Sequence, residues 1–202
     1  GAGDVTCDVA GVTILGQGTG NTRPTFTFAS ADNTASIIIS AADVTIENIL
    51  CICGDDALTK GFNISGADCH LNYIEWQDVT DVEAAQVVNA TATADRLIIN
   101  GMLHRGYTAG DACVNAIYLD GLDGAIIRNS AFLGNYTTAI IEFKAVACTN
   151  VLIENCVFLE TSTTNFSKDI VDTATGSTWA AIGCFDLGAG CGFSGGSGAA
   201  LA

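Results

Sequence analysis

The chain has 202 residues, of which 49% are hydrophobic and only 14% charged, a balance that excludes a disordered chain and allows one domain with a sizeable core. Its 22 Asp and Glu outweigh 7 Lys and Arg, for a net charge of -15. Seven scattered cations form no patch that could neutralise phosphates, so neither nucleic acid nor an anionic membrane surface is expected as a partner. No apolar run reaches the ~18 residues that a membrane helix needs, and Gly1 in place of a Met reads as a processed or trimmed start.

The regular part of the chain is rich in Val, Ile and Thr, which favours strands. Helix is expected nowhere except as a short turn over residues 80–88. Taken in chain order, one phrase recurs: VTILGQG from Val12, VTIENILC from Val44, CHLNYIEW from Cys69, RLIINGML from Arg96, AIIRNSAF from Ala125 and VLIENCVF from Val151. Aligned on their central apolar residue, these place Ile14, Ile46, Leu71, Ile98, Ile127 and Ile153 in one column, at steps of 32, 25, 27, 29 and 26 residues. Two places on, the column reads Gly16, Asn48, Tyr73, Asn100, Asn129 and Asn155. Between the phrases lie further apolar runs with period two: ASIIIS, GFNIS, QVVNAT, NAIYLDG, AIIEFKA and DIVDTAT. Each repeat therefore holds two short strands and room for a third. The period is too short for units that each carry a crossover helix.

These features predict an all-β solenoid of six to seven coils, each coil adding one rung to parallel sheets. At ~4.8 Å per coil the stack is about 30 Å tall. Asn tolerates the left-handed backbone of a sharp corner between two sheets, and stacked Asn side chains can bond from coil to coil. The Ile and Leu column points inward. Ile49, Ile74 and Cys156 share one further core position, and Cys51, Trp76, Leu103, Phe132 and Phe158 share another. The solenoid is expected to occupy residues 1–190, followed by a Gly-rich tail over residues 191–202 that wraps an end or lies against another subunit.

Nine cysteines cannot all pair within one chain. Several fall on apolar strand positions, where a free thiol behaves as a small hydrophobe. Most are expected to be reduced core residues, in keeping with synthesis in a reducing cytoplasm. Cys184 and Cys191 flank a Gly-rich turn and are the best candidates for a disulfide.

Over about residues 12–159 this pattern resembles the pectin-lyase-like family of right-handed parallel β-helices. The phrases ADVTIEN, ISGADC and ACTNVLIENC, with their Gly-Ala-Asp turns, are also similar to β-helix virion proteins of tailed bacteriophages. The first resemblance implies a single-stranded right-handed β-helix. The second implies a virion component that forms homo-oligomers, with a trimer as the expected state.

The β-helix polygalacturonases carry a Gly-Asp-Asp step on their catalytic face, and CGDDA places Asp55 and Asp56 at the matching positions. Paired carboxylates can act there as general acid and base. The accompanying Gly-His-Gly, Arg-x-Lys and Asn-Thr-Asp of that family have no counterpart, and Gly-Asp steps favour turns on local grounds. Asp55 and Asp56 are therefore expected to turn the chain. Asp120 and Asp123 in YLDGLDGA, with Arg128 nearby, are the candidates for a calcium loop. They too are expected to be turn residues, as are His104 and Arg105. No cofactor or resident metal is expected.

The function expected from these features is non-enzymatic: a rigid structural module of a tailed-phage virion, as capsid decoration, fibre or spike component, in contact with other virion proteins and possible surface glycans. Two alternatives stay open, a polysaccharide lyase or hydrolase on a β-helix scaffold and an extracellular adhesin or filament subunit.

Overall fold

A computed structural model describes residues 4–29, 35–55, 58–79, 81–106, 113–161, 168–174, 176–188, 193–194 and 199–201. It is an all-β parallel β-solenoid of about six turns with three parallel sheets. The first sheet stacks Val5–Cys7, Ile37–Ile39, Lys60–Ile64, Gln86–Ala90, Asn115–Leu119, Ala139–Phe143, Lys168–Asp172 and Phe193–Ser194. The second stacks Thr13–Leu15, Thr45–Glu47, His70–Asn72, Ile98–Asn100, Ile126–Arg128, Val151–Glu154, Trp179–Ile182 and Ala199–Leu201. The third stacks Thr25–Ala29, Leu50–Gly54, Glu75–Asp78, Leu103–Arg105, Ala131–Gly134, Val157–Glu160 and Phe185–Asp186. The chain visits the three sheets in rotation, so every strand pairs with the strand one coil away. Two short strands of the Gly-rich tail continue the first and second sheets. No helix among the described residues is long and apolar enough to cross a membrane.

The coils keep register because both corners of the second sheet are left-handed. Asp43, Asp68, Arg96, Gly124 and Asn150 hold the entry corner at φ between 56° and 78°. Asn48, Tyr73, Gly101, Asn129 and Asn155 hold the exit corner at φ between 51° and 69°. In each of these coils the two corners are five residues apart, which leaves room for one short strand and two buried side chains, such as Val44 and Ile46 or Cys69 and Leu71. Asn fits because its short polar side chain tolerates this region. Asn48 Nδ2 donates to Gly16 O at 2.8 Å and Asn129 Nδ2 donates to Asn100 Oδ1 at 2.9 Å, so the corner amides do bond to the preceding coil.

The fourth coil corrects the sequence alignment by one residue. Ile99, not Ile98, pairs with Leu71 and Ile127, and the left-handed corner is Gly101, not Asn100, which is a strand residue opposite Asn72 and Arg128. Gly101 is required there on two counts. Its φ is +69°, and a Cβ would lie 2.7 Å from the ring of Tyr73, which occupies the same corner one coil earlier. The same slip displaces the third-sheet column: His104, not Leu103, stacks between Trp76 and Phe132. The helical turn expected over residues 80–88 is also corrected. Val79 and Val82 form an antiparallel bridge, Asp81 is left-handed, and Gln86–Ala90 is a strand; Thr80 lies outside the described residues.

The core is continuous along the stack. Its columns run Ile46, Leu71, Ile99, Ile127, Ile153 on the second sheet and Ile37, Phe62, Val88, Ile117, Ile141, Ile170 on the first, all buried. Ile49, Ile74, Met102 and Cys156 are buried just past the exit corner, the position expected for Ile49, Ile74 and Cys156. The Trp76 indole packs on Phe28 at 5.1 Å and Phe62 at 6.1 Å. Gly61 makes room for it, since a Cβ there would sit 2.3 Å from the indole. Cys7, Cys51, Cys53, Cys69, Cys113, Cys148 and Cys156 are buried free thiols, as expected of small core residues. Glycines in GQGTGNTRP form the expected turn, with a short 3-10 segment at Gly20–Thr22 between the first coil's strands.

The corrected register makes an opposed pair of expectations. Ile99→Ala leaves a cavity in a closed column and should cost about 2–5 kcal/mol, whereas Ile98→Ala, on the outer face, should cost less than about 1 kcal/mol. Urea denaturation midpoints of the two variants check this, and the reverse order would restore the uncorrected alignment.

Candidate functional site

The third sheet carries the molecule's main polar constellation, one part facing out and one facing in. Alternation along each strand sets this division. In Glu75–Asp78, residues Glu75 and Gln77 face out, while Trp76 and Asp78 face in; in Leu103–Arg105, Arg105 faces out and His104 in.

On the outer side lies a shallow groove of about 530 Å³ lined by Gly20, Glu75, Gln77, Asp78, Arg105 and Gly106. Glu75 is its centre. Arg105 Nε donates to Glu75 Oε1 at 2.8 Å, Gln77 Nε2 donates to the same oxygen at 2.6 Å, and Arg23 donates through Nη2 to Oε2. Arg23 comes from the turn of the first coil and Arg105 from the coil after Glu75, so this one carboxylate ties together three coils. Partial burial pushes the Glu75 carboxyl up, but the hydrogen bonds from Gln77, Arg23 and Arg105 outweigh it and hold the pKa below its ordinary value. Arg105 is 56% exposed. Its guanidinium has five N–H donors, and only Nε is engaged by Glu75, so its outer edge faces the groove ready to bind a carboxylate or a hydroxyl-rich ligand.

Beneath the groove floor, Asp78, His104 and Tyr136 form a buried relay. His104 Nε2 lies 2.9 Å from Asp78 Oδ2, with both side chains at 0% exposure. Tyr136 Oη lies 2.8 Å from His104 Nδ1, and Trp76 Nε1 donates to Asp78 Oδ1 at 2.8 Å. A carboxylate oxygen accepts, so the tautomer that fits has Nε2–H donating to Asp78 and Nδ1 accepting from the Tyr136 hydroxyl. Burial, followed by the nearby Cys113, Asp78 and Glu160, pushes the Tyr136 phenol well above its ordinary pKa and keeps that proton in place. The Tyr136 backbone N–H is held by the Glu160 carboxylate at 3.2 Å. Burial also pushes the adjacent Cys53 thiol up to about 12. The arrangement has the residue types of an acid–base relay, but its ring is sealed from the groove, so its local effect is to satisfy a histidine in an aromatic column.

The other residues singled out by sequence lie apart from this groove. Asp55 is 5% exposed at the corner leading from the third sheet to the first, where its carbonyl accepts from Leu58 N at 3.2 Å; Asp56 lies outside the described residues. Asp120 Oδ1 accepts from Val146 N at 2.9 Å, and Asp123 Oδ1 accepts from Asn150 Nδ2 at 2.7 Å and from the Thr149 hydroxyl. Both carboxylates thus fasten one coil to the next. The bonds from Thr149 and Asn150 hold the exposed Asp123 below its ordinary pKa. Arg128 points to Glu154 at 4.0 Å. No group of three His, Cys, Asp or Glu among the described residues is placed to hold a metal ion.

Sequence reasoning missed Glu75, Asp78 and Tyr136 and read His104 as a turn residue. The one usable signal was the equal spacing of Leu71, Ile99 and Ile127, 28 residues per coil, which puts His104 opposite Trp76. Compared with protein-family models, curated proteins and solved structures, the chain finds no match.

Two outcomes follow. His104→Phe suits the aromatic column but strands the Asp78 carboxylate, and should cost about 3–5 kcal/mol; adding Asp78→Leu should recover a large part, and a double-mutant cycle by urea denaturation measures the coupling. The second concerns pH. Glu75 has a folded pKa below its ordinary 4.5, so its ion pairs stabilise fully above that value and are lost as pH falls through the folded one. The denaturation midpoint should drop between about pH 5 and pH 3, and Glu75→Gln should flatten that drop; an unchanged slope would show that the pairs contribute nothing.

Proposed function

We propose that the chain is a structural module of a tailed-phage particle, a capsid decoration, fibre or spike component, whose third-sheet groove contacts a partner or a surface glycan. One observation carries the mechanical reading. The carboxylates bordering the groove are already engaged, Glu75 by three donors and Asp78 by His104 and Trp76. A general acid or base must exchange protons with a bound substrate. Groups committed in this way instead stiffen the stack and present the Arg105 guanidinium as a recognition group. The resemblance of the Gly-Ala-Asp phrases to phage β-helices supports the particle assignment. The same resemblance supports a homotrimer, a closed cyclic assembly.

Peptide mass spectrometry of density-banded phage particles from producing cultures is the direct test. The chain is expected there at a fixed copy number, and its absence from particles overturns the assignment. Light scattering on the purified protein should give the mass of a trimer; a monomer or an open filament overturns the assembly, the filament in favour of an adhesin-type subunit. Release of reducing ends or unsaturated products from a panel of acidic and neutral glycans, lost in Asp55→Asn, would make the protein a polysaccharide-cleaving enzyme instead.

A further inference from the structure

Eight cysteines among the described residues are free, and seven are buried. Burial pushes the thiols of Cys7, Cys51, Cys53, Cys69, Cys113 and Cys148 above their ordinary pKa, which makes them poor nucleophiles. Cys156 and Cys184 differ because they stand one above the other. The register Glu154 to Ile182 continues through the corner to Val157 and Phe185, so Cys156 and Cys184 occupy the same position in adjacent coils. The Phe185 N–H bonds to Cys156 O at 2.8 Å, which holds the two coils together at that point. Stacked positions in neighbouring coils lie ~4.8 Å apart, inside the ~4.4–6.8 Å Cα range of a disulfide.

The two thiols also differ from each other. Cys156 is fully buried, and Cys184 is half-buried next to Phe185–Asp186, the last described strand of the third sheet, with Ile182, Phe185 and Leu187 exposed nearby in sequence. The Cys156 thiol lies 3.4 Å from Glu154 O and the Cys184 thiol 3.6 Å from Ile182 O, so each takes the same place in its coil. The neighbouring Cys156 thiol draws Cys184 below its ordinary pKa, against partial burial, while the Cys184 thiol and then burial push Cys156 above its own.

We propose that Cys184 and Cys156 are a peroxide-sensitive thiol pair, in which an oxidised Cys184 is captured by Cys156 to clamp the last two complete coils together. In the first step the Cys184 thiolate attacks a peroxide oxygen; the O–O bond breaks, Cys184 becomes a sulfenic acid, and hydroxide leaves. In the second, the Cys156 sulfur attacks the Cys184 sulfur, the S–O bond breaks, and the departing hydroxide takes the Cys156 proton away as water. Two thiols lose two electrons and two protons, and one peroxide is reduced to two waters. Parallel stacked side chains must draw together to bond, so the disulfide is strained and easily reduced by a dithiol.

The test is peroxide treatment of the folded, full-length protein, alkylation, and digestion at Glu and Asp. Residues 155–160, 173–186 and 187–202 then carry Cys156, Cys184 and Cys191 on separate peptides. The expected product links 155–160 to 173–186, persists in Cys191→Ser, is lost in Cys156→Ser and Cys184→Ser, and reverts with dithiothreitol. Oxidation should raise Tm by about 5 °C in the parent chain and not in Cys184→Ser. A link between Cys184 and Cys191, the pair expected from sequence, overturns the proposal; Cys191 lies outside the described residues. So does stepwise oxidation of Cys184 to sulfinic acid with no link, or a Cys184 that does not react before the buried thiols.

Discussion

Everything in this fold depends on the paired left-handed corners that bracket the second sheet. Five residues separate them in coil after coil, so the strand between them cannot change length. Its inward residue must therefore meet the inward residue of the next coil. The hydrophobic columns follow from that constraint: once register is fixed, burial of Ile on Ile and Phe on Phe repeats along the stack and offsets the ordering of each added coil. Corner residues are Asn, Asp or Gly where possible, because other side chains pay for a positive φ. Tyr73 and Arg96 are the exceptions. Each finds a partner that holds it, the ring of Tyr73 over Gly101 and the guanidinium of Arg96 on the Asp68 carboxylate at 2.6 Å.

Strict columns also govern what a polar residue must bring with it. His104 stands where neighbouring coils place Trp76 and Phe132, so its two nitrogens need partners inside the core. Asp78 from the coil before and Tyr136 from the coil after supply them. The outer face repeats the arrangement, with Glu75 held between Arg23 and Arg105. Both networks cross from coil to coil, and both lie on the third sheet. That sheet is where the stack carries its groove and where a ligand would meet a surface already stiffened from both sides.

Connection length also varies at the remaining corner, from the third sheet back to the first. Among the described residues no left-handed pair recurs there, and the connections differ in length from coil to coil, short from Gly134 to Ala139 and long from Arg105 to Asn115. Asp55 and the antiparallel bridge of Val79 with Val82 both fall on these connections. A solenoid can lengthen such a loop without disturbing its core, because loop closure costs grow slowly with length.

The sequence alone determined the architecture, because one coil's worth of apolar and turn residues returns often enough to exclude other all-β folds. The buried cysteines were legible for the same reason, since Cys51 shares a column with Trp76, Phe132 and Phe158, and Cys156 one with Ile49 and Ile74. The candidate site was not legible. In the fourth coil Leu97, Ile98 and Ile99 are all apolar and Asn100 imitates the corner residue, so two alignments one residue apart look equally good. Because strand side chains alternate, that single step moved His104 from the surface to the core and hid its link to Asp78 and Tyr136. Only the three-dimensional stack decided between them, through the hydrogen-bonded register that opposes Ile99 to both Leu71 and Ile127. The same register set Cys156 against Cys184, residues that nothing in their local sequence joins. Contacts one coil apart depend on how many residues each intervening corner consumes, and corner geometry is a property of the folded chain.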